Sequence, residues 1–173
     1  MQIGLFWLVP AGAVLALSFA WIFYKQMVQE SEGTKAMAEI AGYVRTGAMA
    51  YLKQQYKVVA LVFAVLTLGF SFLAYRLHVQ NEWMPFAFIT GGFFSALSGF
   101  FGMKTATAAS ARTAHAARLS LQNALTIALR SGAVVGLVVV GLGLLDIVIW
   151  FSVLSAVYPT KGDAGHNLAI VTT

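Results

Sequence analysis

The sequence predicts an all-α integral membrane protein, with four transmembrane helices and amphipathic cytoplasmic helical extensions, on three observations. Of its 173 residues, 60% are hydrophobic and only 10% charged, with a mean hydropathy of +0.80; soluble domains carry roughly 25% charged residues. Four apolar runs approach or exceed the roughly 20 residues that cross a 30 Å hydrocarbon core. The basic residues border these runs and form no single basic face, so the net charge of +5 points to lipid headgroups and not to nucleic acid. Residues 1–173 read as a single membrane region.

The first run covers about residues 3–24, long enough to span. Met1-Gln2 is uncharged and Lys25 follows the run, which fits a retained anchor better than a cleaved signal peptide. Pro10 falls in the first turns, where a missing backbone donor costs least. Residues 25–57 are mixed, and Met37, Ile40, Ala41, Val44, Ala48, Tyr51, Leu52 and Gln55 recur at three- and four-residue steps, the period of a helix with one apolar face. Ser31-Glu32-Gly33-Thr34 supplies its start: Gly33 allows a turn and Thr34 can cap the first amides. The second run, 58–75, is short for a span but can continue the amphipathic helix as one long element. A polar connector, 76–83, leads to the third run, 84–103, with Tyr75 and Trp83 at its ends where aromatic belts form. A second basic segment, 104–131, precedes the fourth run, 133–157, which closes at Tyr158-Pro159 with Trp150 and Tyr158 marking an interface. The chain then turns polar, an apolar run restarts at 168–171, and the sequence stops at Thr173, a pattern expected of the N-terminal fragment of a longer chain.

Nine of the eleven Lys and Arg residues lie in two segments: Lys25, Lys35, Arg45, Lys53 and Lys57, then Lys104, Arg112, Arg118 and Arg130. Arg76 and Lys161 fall on the other side. The positive-inside rule therefore puts 25–57 and 104–131 in the cytoplasm and both chain ends outside.

Little in the chain can do chemistry. There is no cysteine, which removes disulfides and thiol reactions, and His78, His115 and His166 lack metal-ligand spacing. The six acids, Glu30, Glu32, Glu39, Glu82, Asp146 and Asp163, are too scattered to hold several Mg2+ ions. No glycine-rich turn leads to Lys and Ser/Thr, and no nucleophile has a nearby base. Gly91, Ser95 and Gly99 recur every four residues, and Gly132, Gly136, Gly141 and Gly143 follow on the fourth run. Such stripes are packing seams and assign these helices to a larger bundle. Arg112, His115 and Arg118, three residues apart, share a helix face. They read as a phosphate-binding patch or, given the small residues around them, as a headgroup-facing juxtamembrane helix. Asp146 is the one acid inside an apolar run, where an unpaired charge costs about 2.5–3.5 kcal/mol. It is the candidate for an intramembrane polar site, either handling ions or tied by hydrogen bonds to a neighbouring helix.

Particular strings add a family. Gly33-Thr34 with Met37, Ile40-Ala41, Arg45, Gly47-Ala48, Ala50-Tyr51-Leu52 and Gln55-Tyr56 resembles the first cytoplasmic region of membrane-embedded ion-translocating pyrophosphatases. Gly102-Met103-Lys104 with Ala106-Thr107, Ser110-Ala111-Arg112-Thr113-Ala114 and Ala116-Ala117 is similar to their second. Ser131-Gly132 through Gly136-Leu137 to Val139-Val140-Gly141-Leu142-Gly143-Leu144-Leu145 is similar to the helix that follows. Asp146 departs from the pattern, which more often continues with glycine. The resemblance implies a homodimeric pump of about sixteen helices per subunit, in which Mg2+-pyrophosphate hydrolysis drives Na+ or H+ export, with K+ stimulation in one bacterial branch. It implies a bacterial inner-membrane location. The family's Asp-x-x-x-Gly-Lys-Gly motif and ion gate have no counterpart in this sequence, so no catalytic, cofactor-binding or metal residue is carried over, and Mg2+ and K+ are expected to bind outside this stretch. The chain would supply outer helices, would be inert by itself and would be weakly stable in detergent. Two other readings rest on the residues alone. One is a stand-alone small helical membrane scaffold or partner subunit. The other is a small channel or carrier using Asp146, for which the remaining runs supply only Ser18, Thr67, Ser71, Thr90, Ser95 and Ser98.

Overall fold

A computed structural model describes residues 7–77 and 81–157. All regular structure among them is helical: α1 (Leu8–Val28), α2 (Lys35–Tyr75), α3 (Met84–Ala117) and α4 (Leu121–Val157). Each is long and apolar enough to cross a membrane. His78, Tyr158-Pro159, Lys161, Asp163, His166, the 168–171 run and the first residues of the 3–24 run lie outside the described residues.

The apolar runs and their polar flanks share helices. Residues 35–57 and 58–75 form one 41-residue helix, about 60 Å long at 1.5 Å per residue, or twice the hydrocarbon thickness. The third run continues without a break through residue 117, and the fourth helix begins at Leu121, twelve residues ahead of its apolar run. Nothing along these segments interrupts the backbone hydrogen-bond ladder, since Pro85 occupies the first turn of α3, where proline is tolerated. The start of α2 follows from local chemistry: Gly33 takes a φ of +93°, and the Thr34 hydroxyl accepts a hydrogen bond from the Met37 amide at 3.4 Å.

The consecutive helices α1 and α2 are not neighbours in space, whereas the first and last described helices are. α4 packs extensively on both α1 and α3, and α2 packs on α3 alone; among the described residues α1 and α2 do not touch. The main contacts therefore run in the order α1–α4–α3–α2, and α1 also meets α3 at the polar end. On α4 the buried positions Ala124, Ile127, Ser131, Val134, Val138 and Gly141 alternate in steps of three and four, as two antiparallel helices require of a shared seam. On α1 the seam is alanine: Ala13, Ala16 and Ala20 are buried. A Cβ on Gly141 would come within 2.8 Å of the Leu17 side chain and 3.4 Å of the Ala13 carbonyl, so the missing side chain sets the close approach of α1 and α4.

Glycine also admits α2 to α3, but not along the stripe read from spacing. The positions facing α2 are Gly92, Ala96 and Gly99: a Cβ on Gly92 would enter the Phe63 ring, one on Gly99 would lie 3.1 Å from the Tyr56 hydroxyl, and Tyr56 donates to the Ala96 carbonyl. Ser95 is exposed, and Gly91 turns away towards α4. Steps of four and three keep a seam on one helix side where steps of four and four drift around it. Phe88 stacks on Phe63 with centroids 4.7 Å apart and meets Phe70 edge-on at 5.0 Å, which closes the other end of this contact. Gly132, Gly136 and Gly143 face open space.

Where the polar extensions gather, the core is built from alanine. Met27 of α1 is fully buried against Ala108, Ala109 and Ala116 of α3 and Ala124 and Ile127 of α4. The small side chains let α3 and α4 stay in contact up to their connection, Arg118-Leu119-Ser120, where the Leu119 and Ser120 amides donate to the Ala116 carbonyl at 2.9 and 2.8 Å. The face of α2 read as apolar is buried only in part: Ala41 and Leu52 are covered, whereas Ile40, Val44 and Tyr51 remain exposed, because α3 is α2's only neighbour among the described helices.

Candidate functional site

Two groups of polar side chains cross helix boundaries. The first gathers at the polar end around the α1–α2 turn. Glu32 in that turn is paired with Arg45 of α2 and, at 2.9 Å, with Arg112 of α3. Arg112 also donates to the Glu30 carbonyl at 2.9 Å and to the Ala108 carbonyl at 2.5 Å. One guanidinium thus fastens the turn to α3 while Glu32 fastens it to α2. The Arg45 hydrogen bond holds the Glu32 carboxyl below the usual carboxylate range; partial burial opposes this and the Arg112 charge reinforces it. Beneath the turn, Gly33 lies against the His115 ring, where a Cβ would come within 2.8 Å of Nδ1. That nitrogen is buried and has no hydrogen-bond partner.

The structure corrects the headgroup-facing reading of Arg112, His115 and Arg118. Arg112 is 8% exposed and points inwards, His115 packs on the turn, and only Arg118, past the helix end, is exposed. Their common spacing put them on one side of α3, and that side faces protein. Sequence reasoning did not find the Glu32 cluster, whose partners are 13 and 80 positions apart; the faint signal was one arginine among the alanines, serines and threonines of a close-packed stretch.

The second group surrounds Asp146. Its carboxyl lies opposite Gly91 of α3, where a Cβ would be 3.4 Å from Oδ2, so glycine makes room for it. Thr90 of α3 stands beside it. The Thr90 hydroxyl also accepts from Trp150 Nε1 at 2.6 Å and lies 3.0 Å from the Ala87 carbonyl. Oδ1 is buried without a hydrogen-bond partner. The arrangement can tie α3 to α4 and leaves one acceptor open. Among the described residues, no three His, Asp or Glu side chains converge on a common point that would suit a metal ion.

Four helices able to cross a bilayer, seams of small residues and open glycine faces define a multi-pass integral membrane protein. The family profile described as inorganic H+ pyrophosphatase matches residues 14–171, and the chain belongs to that family. A Bacteroides thetaiotaomicron protein assigned as a K+-stimulated pyrophosphate-energized sodium pump is 64% identical over 170 residues, 98% of this chain and 23% of the relative. K+-insensitive pyrophosphate-energized proton pumps of Moorella thermoacetica and Methanosarcina mazei are 40% and 38% identical over 91% and 90% of the chain, each across 22% of its own length. The chain thus spans less than a quarter of these relatives and matches their N-terminal part.

Proposed function

We propose that this chain supplies the N-terminal helices of a pump in which hydrolysis of Mg2+-pyrophosphate drives export of Na+, with H+ as the alternative ion. The observation that carries the reading is 64% identity, over nearly the whole chain, to the relative named for sodium, against 40% and 38% to those named for protons. Mg2+ is bound through carboxylates and substrate phosphates. In this chain Glu32 is taken up by two arginines, Asp146 stands apart from other acids, and no three ligands converge among the described residues. We assign hydrolysis, and the Mg2+ and K+ that serve it, to segments outside this stretch. The helices act as a scaffold, and Asp146 acts as a tie between helices, its open oxygen accepting from a donor elsewhere in the pump. The polar end, rich in Lys and Arg, faces the cytoplasm of a bacterial inner membrane, the N-terminus lies outside, and the pump is a homodimer.

A chimera tests the proposal. This chain replaces the matching N-terminal part of the Bacteroides relative, and pyrophosphate-dependent Na+ uptake is measured in inverted vesicles. Uptake is expected from the chimera and no pyrophosphate hydrolysis from the chain alone. A chimera that inserts and folds but neither hydrolyses nor transports would overturn the reading.

A further inference from the structure

Because α1 and α2 do not touch, a gap floored by α3 opens between them. At its polar end the gap is a cleft of about 500 Å³, within the roughly 300–1,000 Å³ of small-molecule sites. Three cations line it, Arg45, Lys104 and Arg112, against one acid, Glu32, which leaves two positive charges in excess. Arg112 is locked in place by its three oxygens; Arg45, though paired with Glu32, keeps its side chain 37% exposed, and Lys104 is exposed, so both present charge to the cleft. Next to it, towards the apolar segments, lies a groove of about 240 Å³ walled by Leu17, Trp21, Phe101, Val138 and Leu142. Tyr24 and Lys104 line both cavities. The junction falls where the apolar runs end, at Tyr24-Lys25 and Met103-Lys104, and Lys25 Nζ sits 5.3 Å over the Trp21 ring, the pairing of aromatic and cation found at bilayer surfaces.

We propose that the two cavities together form a binding site for an anionic phospholipid, with the phosphate headgroup held by Lys104 and Arg45 and one acyl chain in the apolar groove. The charge excess selects an anion, and basic pockets between transmembrane helices suit anionic headgroups. The contiguous apolar groove at the bilayer boundary selects a lipid over free phosphate, which has nothing to place there.

The test is native mass spectrometry of the chimeric pump in non-ionic detergent, titrated with phosphatidylglycerol or phosphatidylcholine. Phosphatidylglycerol is expected to be retained preferentially. Lys104→Gln lowers its retention about fivefold, the factor one cation near a charged surface contributes, with helicity unchanged by circular dichroism. Lys104→Arg restores retention, Arg118→Gln outside the cleft leaves it unchanged, and excess inorganic pyrophosphate does not displace the lipid. Equal retention of the two lipids, or indifference to Lys104→Gln, overturns the proposal. Displacement by pyrophosphate overturns it in favour of a free-phosphate site, and absence of any retained phospholipid assigns the cleft to a protein helix.

Discussion

At the residue scale, the α1–α2 turn depends on a few atoms. Gly33 is required twice, by its left-handed φ and by the His115 ring against it. Gly33→Ala is expected to cost about 1–2 kcal/mol from the backbone conformation alone, read as a lower thermal midpoint in detergent. Arg112→Met keeps the bulk of the side chain but frees the Glu30 and Ala108 carbonyls and leaves Glu32 with Arg45 alone; about 2 kcal/mol is expected from the lost charged hydrogen bonds. The pH dependence follows from the lowered Glu32 value. A carboxyl whose folded pKa is depressed contributes its stability fully above its unfolded value, about 4.3, and loses it as pH falls through the folded one. The groups facing Glu32 are Arg45 and Arg112. Thermal midpoints followed down through this acid range should therefore fall, and Glu32→Gln should flatten that part of the fall. A Glu32→Gln profile parallel to the parent's would show that the cluster carries no such linkage.

At the element scale, the helices meet through absent side chains, and the seams can be told apart by substitution. Leucine at Gly92 would drive into Phe63 and separate α2 from α3, whereas Ser95 is exposed. Gly92→Leu should cost about 1–3 kcal/mol, as overpacking does, and Ser95→Leu should leave the midpoint of the isolated chain in place. The reverse ranking would mean that α2 sits on the Gly91-Ser95-Gly99 face. Gly132 and Gly136, open on α4, are free of such a penalty in this chain and acquire one only where another helix covers them.

At the scale of the whole molecule, the row α1–α4–α3–α2 leaves α2 with one neighbour and exposes Leu121, Leu125 and Leu129 on the polar end of α4. Lipid does not cover apolar residues held away from the hydrocarbon, so this surface suits protein contact. Asp146 belongs to the same scale, since its Oδ1 finds no hydrogen-bond partner among the described residues. In the chimeric pump, Asp146→Asn keeps both hydrogen-bonding oxygen and shape, and Na+ uptake is expected to stay within about twofold of the parent. Loss of uptake with hydrolysis intact would turn the carboxyl from a tie into part of the ion path.

Much of the fold was legible in order along the chain. The excess of apolar residues identified a membrane protein with four crossing helices, because a bilayer demands long apolar runs whatever their neighbours. The Gly33-Thr34 start of α2 was readable too, because a turn and a cap are settled within a few residues. Asp146 stood out because a charge in an apolar run is costly wherever the helix packs. Only the tertiary structure decided that α4 is the main partner of both α1 and α3, that Gly92-Ala96-Gly99 and not Gly91-Ser95-Gly99 receives α2, and that Arg112 turns inwards to Glu32. Each of these depends on the rotation of one helix about its axis relative to another. A helix of small residues with several similar faces leaves that rotation open until its neighbours are in place.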